Sequence, residues 1–169
     1  MRAPSGDSPF LRHPAAIGLG SNEGDREAHL RAGLALLESS GRVRVLRVSP
    51  FLETEPRGGP PQGPFLNGAA WVETDLDPRG LLDLCKSVER AEGRVPGPRW
   101  GPRPLDLDIL LFGELEVRDE DLEIPHARLL ERDFALEPLA AIAPDALHPH
   151  LGRTIGEIWR ERRPLARAR

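Results

Sequence analysis

Tyrosine is missing from this chain, and cysteine, methionine and lysine occur once each. A lone Cys85 excludes an internal disulfide and any metal cluster built on cysteine, and it fits a reducing, cytoplasmic compartment. With Lys86 the sole lysine, positive charge is carried by arginine, so a phosphate clamp here has to be made of guanidinium groups. No apolar run approaches the ~20 residues of a membrane span, and the N-terminus lacks the charged-then-apolar pattern of an export signal. Aromatic residues make up 5% and the formal net charge is -4, which argues against a reader or coat of nucleic acid. There are no internal repeats. What remains is a chain of 169 residues, 39% hydrophobic and 30% charged, the composition of one globular domain.

The stretch from Arg99 to Phe112, Arg-Trp-Gly-Pro-Arg-Pro-Leu-Asp-Leu-Asp-Ile-Leu-Leu-Phe, organises the rest. A stiff loop with two arginines and a tryptophan runs into a strand. Alternate strand residues share a face, so Asp106 and Asp108 point one way while Leu105, Leu107, Ile109 and Leu111 point the other way into a core. Two like charges side by side repel, and a cation between them removes the repulsion. Oxygen ligands of this kind suit Mg²⁺ held with substrate phosphates. Arg99 and Arg103 stand upstream as phosphate partners. The blander reading is a solvated strand end, which an isolated Asp-x-Asp would favour.

Residues 1–14 are rich in Pro, Ser and Gly and read as a loose tail ahead of one domain over 15–160, with a frayed, arginine-rich end over 161–169. A short strand over 15–19 ends in the turn Gly20-Ser21-Asn22, and Asn22 or Asp25 caps a helix whose buried stripe is Leu30, Leu34 and Leu37. Residues 43–51 read as one strand. Residues 53–64 hold four prolines and three glycines and form a long loop. A strand over 65–74 carries Phe65 and Asn67 on one face, a pairing that stacks on and hydrogen-bonds a flat heterocycle or else belongs to a core. Asp77-Pro78 opens a helix that buries Leu81, Cys85 and Val88, with Glu89 at the border of the stripe. Residues 93–103 form a second long loop. After the aspartate strand come small strands over 115–124, a helical segment to Ile142, a turn at His148-Pro149-His150 rather than a metal pair, and a final short helix over 154–159.

Strand, helix, strand, strand, helix, strand is the order of an α+β, ferredoxin-like sandwich: a mainly antiparallel sheet with helices on one side and two long active-site loops over the other.

Taken together, Gly20-Ser21-Asn22, Phe65-Leu66-Asn67-Gly68-Ala69, Glu89 with Gly93-Arg94, the block from Arg99 to Leu110, Pro125-His126, and Arg132-x-Phe134 before Pro138-Leu139 resemble the 6-hydroxymethyl-7,8-dihydropterin pyrophosphokinases of folate biosynthesis, from about Ala15 to Trp159. The resemblance implies transfer of the two terminal phosphates of ATP to a reduced hydroxymethylpterin, leaving AMP. It assigns Asp106 and Asp108 to two Mg²⁺ ions. It puts the pterin against Thr54, Phe65, Asn67, Trp100 and Phe134, and ATP against Glu89, Arg94, Trp100, Arg103, Ile109, His126 and Arg132, with Arg94 and Arg103 on the phosphates. Three positions depart from the pattern: Pro96 where a second loop arginine is usual, Phe65 in place of tyrosine, and Arg57 in place of an apolar residue. A monomer acting on ATP and a pterin, without nucleic acid or membrane, is the expectation. The competing one is a non-catalytic pterin- or nucleotide-binding module on the same fold.

Overall fold

The structure, a computed structural model, describes residues 12–167. Of the expected tail, residues 1–11 lie outside the described residues, whereas His13 and Pro14 already belong to the first strand.

Strand β1 (His13–Ser21) is the middle of the sheet. It pairs antiparallel with β4 (Phe65–Thr74) on one side and β5 (Asp106–Phe112) on the other. Beyond β4 lie β2 (Val43–Val48) and the three-residue β3 (Leu52–Thr54), both antiparallel to it. The strand expected over 43–51 is therefore two. Ser49, 5% exposed, exchanges hydrogen bonds with the Ala69 backbone, and Pro50 ends the ladder there because it has no N–H to give.

Helices α1 (Arg26–Ser39) and α2 (Pro78–Ala91) cover one face. Each starts at an aspartate whose carboxylate accepts a backbone N–H: Asp25 from Ala28 at 3.1 Å and Asp77 from Gly80 at 2.7 Å. Their apolar stripes, Leu30, Leu34 and Leu37 with Leu81, Cys85 and Val88, close on Ile17, Leu19, Leu107 and Ile109.

The other face departs from expectation. A turn of 3-10 helix (Leu129–Glu131), α3 (Asp133–Ile142) and α4 (Ile155–Arg167) bury a second cluster against Ala16, Ala69, Leu110 and Leu111. Helix α4 continues well past Trp159 into the stretch expected to fray. Leu111 was expected beside Ile109, yet it faces this second cluster. The ladder pairs Ile17 with Ile109 and Ala16 with Leu111, so Leu110 is an extra residue in β5, and a bulge reverses which face the following residues take. Two small hairpins complete the chain, β6 (Val117–Arg118) with β7 (Glu123–Ile124) and β8 (Leu147–His148) with β9 (Arg153–Thr154). No helix among the described residues is long and apolar enough to cross a membrane.

Helix α3 reaches only part of the second face. The rest lies over Gly18, Gly20 and Gly68, and there the sheet floors a cleft.

Candidate active site

The cleft has a volume of about 420 Å³. Strand β5 supplies Asp106 and Asp108 to its floor, about 7 Å apart by the rise of a strand, with Leu110 next on the same face. Gly20 lies between Asp106 and Asn67. A Cβ there would stand 3.2 Å from Asn67 Oδ1 and 3.8 Å from Asp106 Cβ, so glycine keeps this part of the floor open. Asn67, 6% exposed, donates through Nδ2 to Thr54 Oγ1 at 2.6 Å, which leaves Oδ1 toward the cleft floor. Phe65 from β4 and Phe134 from α3 line the same cleft, each with a guanidinium near its ring: Arg103 at 5.5 Å and Arg132 at 5.7 Å from the centroids.

The two aspartates differ in what neutralises them. Arg94 Nη1 donates to Asp106 Oδ1 at 2.8 Å, and Arg103 Nε lies 3.8 Å from its Oδ2. Among the described residues Asp108 pairs with Arg132 alone, at 3.8 Å. Burial in the cleft and the neighbouring Asp106 charge push the Asp108 carboxyl up to about 7. Burial also lowers the pKa of Arg132, with Asp108 opposing. Arg94 is raised: burial works against its charge, and Asp106 and Glu89 outweigh it.

Thr54, Phe65, Asn67, Trp100, Arg103, Asp106, Asp108, Arg132 and Phe134 are thus brought to one cavity. Four other candidates are not on its wall. Glu89, 2% exposed, sits behind β5, where it accepts the Leu107 N–H at 2.8 Å and pairs with Arg94 at 2.9 Å. Its Oε1 is engaged by the Leu107 N–H and Arg94, and its Oε2 accepts from Lys86 Nζ at 3.3 Å. Arg94 in turn is engaged by Glu89 and Asp106. Ile109 is 4% exposed in the core, because it alternates with the aspartates. His126 is tied to its turn, Nδ1 accepting the Arg128 N–H at 3.1 Å, and burial together with Arg132 lowers its pKa.

Both long loops arch over the cleft and meet. Gln62 Nε2 donates to the Trp100 carbonyl at 2.7 Å, and Asn22 Nδ2 donates to Gln62 Oε1 at 2.8 Å while its Oδ1 accepts the Arg103 N–H at 2.9 Å. The Asn22 side chain thus joins the loops, and Asp25 alone caps α1. Trp100 holds a left-handed backbone (φ 58°) and stacks under Arg99 at 4.7 Å. Gln62, Arg128 and Arg162 line the cleft without having been singled out. For Arg162 there was a signal: positions 155, 158 and 162 share a helix face, and the first two are apolar.

The site fits a hard divalent cation. It offers two carboxylates on one strand face, all-oxygen donors of the kind such an ion takes. Among the described residues no group of three His, Cys, Asp or Glu side chains forms a metal cage, so a cation held by the two aspartates would need further oxygens from water or ligand.

The model of the family described as 7,8-dihydro-6-hydroxymethylpterin-pyrophosphokinase (HPPK) matches residues 16–144, a stretch that includes the site residues expected from the sequence but not Arg162. The chain belongs to the HPPK family. The 2-amino-4-hydroxy-6-hydroxymethyldihydropteridine pyrophosphokinase of Bacillus subtilis is 48% identical to it over 132 residues, 78% of this chain and 79% of the relative. That of Methylorubrum extorquens is 46% identical over 131 residues, 78% of this chain and 83% of the relative. Among solved structures, a Plasmodium falciparum HPPK-DHPS crystallised with pterin and p-hydroxybenzoate superposes with a TM-score of 0.72 at 15% identity, over 92% of this chain and 44% of that one. That likeness is one of fold, and this HPPK chain spans less than half of the larger protein.

Proposed function

We propose that this chain transfers the terminal diphosphate of ATP to the hydroxymethyl oxygen of 6-hydroxymethyl-7,8-dihydropterin, giving AMP and the pterin diphosphate. The observation that carries this reading is one cleft holding both a heterocycle seat, Phe65, Phe134 and Asn67, and a charged floor, Asp106 and Asp108 flanked by Arg103 and Arg132.

In this reading the pterin ring lies between the two phenylalanines. Thr54 orients the Asn67 amide so that its Oδ1 accepts a ring N–H. The hydroxymethyl group then points toward β5. Arg103 meets the phosphates: its Nε is buried and has no hydrogen-bond partner, the state of a donor awaiting an anion. Arg132 carries charge to the same place from the opposite wall. Asp106 and Asp108 would hold Mg²⁺, which when bound would neutralise charge on the phosphate oxygens. Arg94, pinned by Glu89, keeps Asp106 in place. The hydroxymethyl oxygen attacks the β-phosphorus and its proton is released to solvent, while the bond from the β-phosphorus to the α-phosphate oxygen breaks and AMP departs with that oxygen. The protein's contribution is position and charge rather than covalent chemistry.

The loops joined by Gln62 and Trp100 act as lids that exclude water and so suppress ATP hydrolysis. The sheet order β2-β4-β1-β5, with α1 and α2 in the crossovers, supports the ferredoxin-like description.

Nucleotide analysis after incubation with Mg²⁺, ATP and the hydroxymethylpterin tests the reading. AMP formed one-for-one with the pterin diphosphate supports it. ADP as product rejects it, and ligand binding without turnover favours the binding module.

A further inference from the structure

Arg162 lies beyond the residues that the family model matches and has no role in the mechanism above. It sits on α4, whose Ile155 and Ile158 are buried against the α3 side of the sheet, and the same helix face delivers Arg162 to the rim of the cleft. Its Nε donates to the Asp133 carboxylate, and its Nη2 donates to the Glu131 carbonyl at 3.2 Å. These two acceptors bracket Arg132.

Arg132 is a joint in the backbone. It ends the 3-10 turn and begins α3, its conformation is extended (φ -107°, ψ 94°), and no side chain caps the helix there. A helix start without a cap leaves its first N–H groups unheld and its entry angle free. Arg162 supplies the restraint from outside, gripping one residue on each side of the joint. Arg132 and Phe134, the residues flanking Asp133, both line the cleft, with Glu131 and Ala135 beside them.

Charge pairing adds to this. Arg132 is bordered in sequence by two carboxylates, Glu131 and Asp133. Arg128 takes Glu131 at 3.3 Å, and Arg162 takes Asp133. Arg132 is thereby left facing Asp108 across the cleft. An Asp133 deprived of Arg162 is a competing partner for the guanidinium next to it.

The geometry points to Arg162 as a positioning residue: by clasping Glu131 and Asp133 it holds the joint at Arg132 so that Arg132 and Phe134 stay aimed into the substrate cleft. This deepens, and rests on, the pyrophosphokinase reading. Two of its nitrogens are committed to protein acceptors, so it works through its neighbours rather than on the phosphates.

The test uses the full chain with Arg162→Gln, Arg162→Lys, Asp133→Asn and the Gln/Asn double variant. KM for ATP and for the pterin should rise about tenfold in Arg162→Gln, with kcat changed by no more than about twofold. Arg162→Lys should recover part of the loss, and the double variant should be no worse than Arg162→Gln alone, as expected when the two residues act as one unit. Amide exchange over residues 129–135 should quicken in Arg162→Gln. A lower melting temperature with both KM values unchanged would show a merely structural role and overturn the inference, as would additive effects in the double variant. Should the wild-type chain show no pterin-dependent turnover, the function fails separately. Amide exchange then decides on the joint alone, with unchanged exchange overturning it and quickened exchange supporting it.

Discussion

Arg94 contacts Asp106 at 2.8 Å and has no such contact with Asp108, its neighbour on the same strand face. The protein therefore neutralises one of its paired carboxylates itself and leaves the other to an arginine at 3.8 Å and to whatever enters the cleft. Much of the behaviour of the site follows from this asymmetry.

The first consequence is a pH dependence. In the folded chain without metal the Asp108 carboxyl is pushed up to about 7 from its ordinary 3.8, by burial and then by Asp106. Between those values the native state holds a proton that the unfolded chain has released, so stability falls as pH rises through this window. Melting curves from pH 4 to 8 in a chelator should show this slope in the wild type and a shallower one in Asp108→Asn. At pH 8 the variant should melt higher than the metal-free wild type, and Mg²⁺ with an ATP analogue should raise the melting temperature of the wild type more. Parallel curves for the two proteins would contradict the assignment.

Glu89 acts from behind the strand. It is 2% exposed, receives the Leu107 N–H and pairs with Arg94. Glu89→Ala strands a buried N–H and loosens Arg94, and denaturant titration should show a loss of about 2–3 kcal/mol. Activity should fall too, since Asp106 loses part of its support. Glu89→Gln retains an acceptor for Leu107, so it should cost less stability than alanine.

The meeting of the loops is tight at Gly59. Its φ is 77°, and a Cβ would lie 2.4 Å from the Trp100 carbonyl oxygen. Gly59→Ala should push the loops apart and leave the core intact. Steady-state kinetics should show a higher KM for the pterin and more ATP hydrolysis uncoupled from transfer, with the melting temperature within about 2 °C of wild type. Unchanged coupling would remove the lid role.

On the proposed reading, Asn67 should carry pterin selectivity. With its Nδ2 engaged by Thr54, Asn67→Asp puts a carboxylate in the pocket, 6% exposed in the wild type, and Asn67→Ala removes the acceptor. Calorimetry should show pterin affinity reduced about tenfold or more in Asn67→Ala, with binding of the ATP analogue unaffected.

What could be read in advance was local. Asp106 and Asp108 sharing a face follows from strand alternation, and the starts of α1 and α2 follow from a cap at Asn22 or Asp25, of which Asp25 is used, and from Asp77-Pro78. Leu111 was misplaced because the bulge at Leu110 depends on how Ala16 and Ile17 pair across the ladder, which no property of β5 alone reveals. Covering of the second face was missed for a similar reason: α3 is apolar, but which surface it covers is decided by the sheet. Arg162 was hidden in an arginine-rich end whose composition resembles a tail. Its value arises only when α4 docks beside Asp133.

On the proposed reading Asp106 and Asp108 together grip a divalent cation against the phosphates of ATP. Electron paramagnetic resonance can follow this in a Mn²⁺ titration with an ATP analogue and the pterin present. The wild-type ternary complex should bind Mn²⁺ tightly, and Asp108→Asn should lose that binding. Mn²⁺ bound equally well by the variant would contradict the reading.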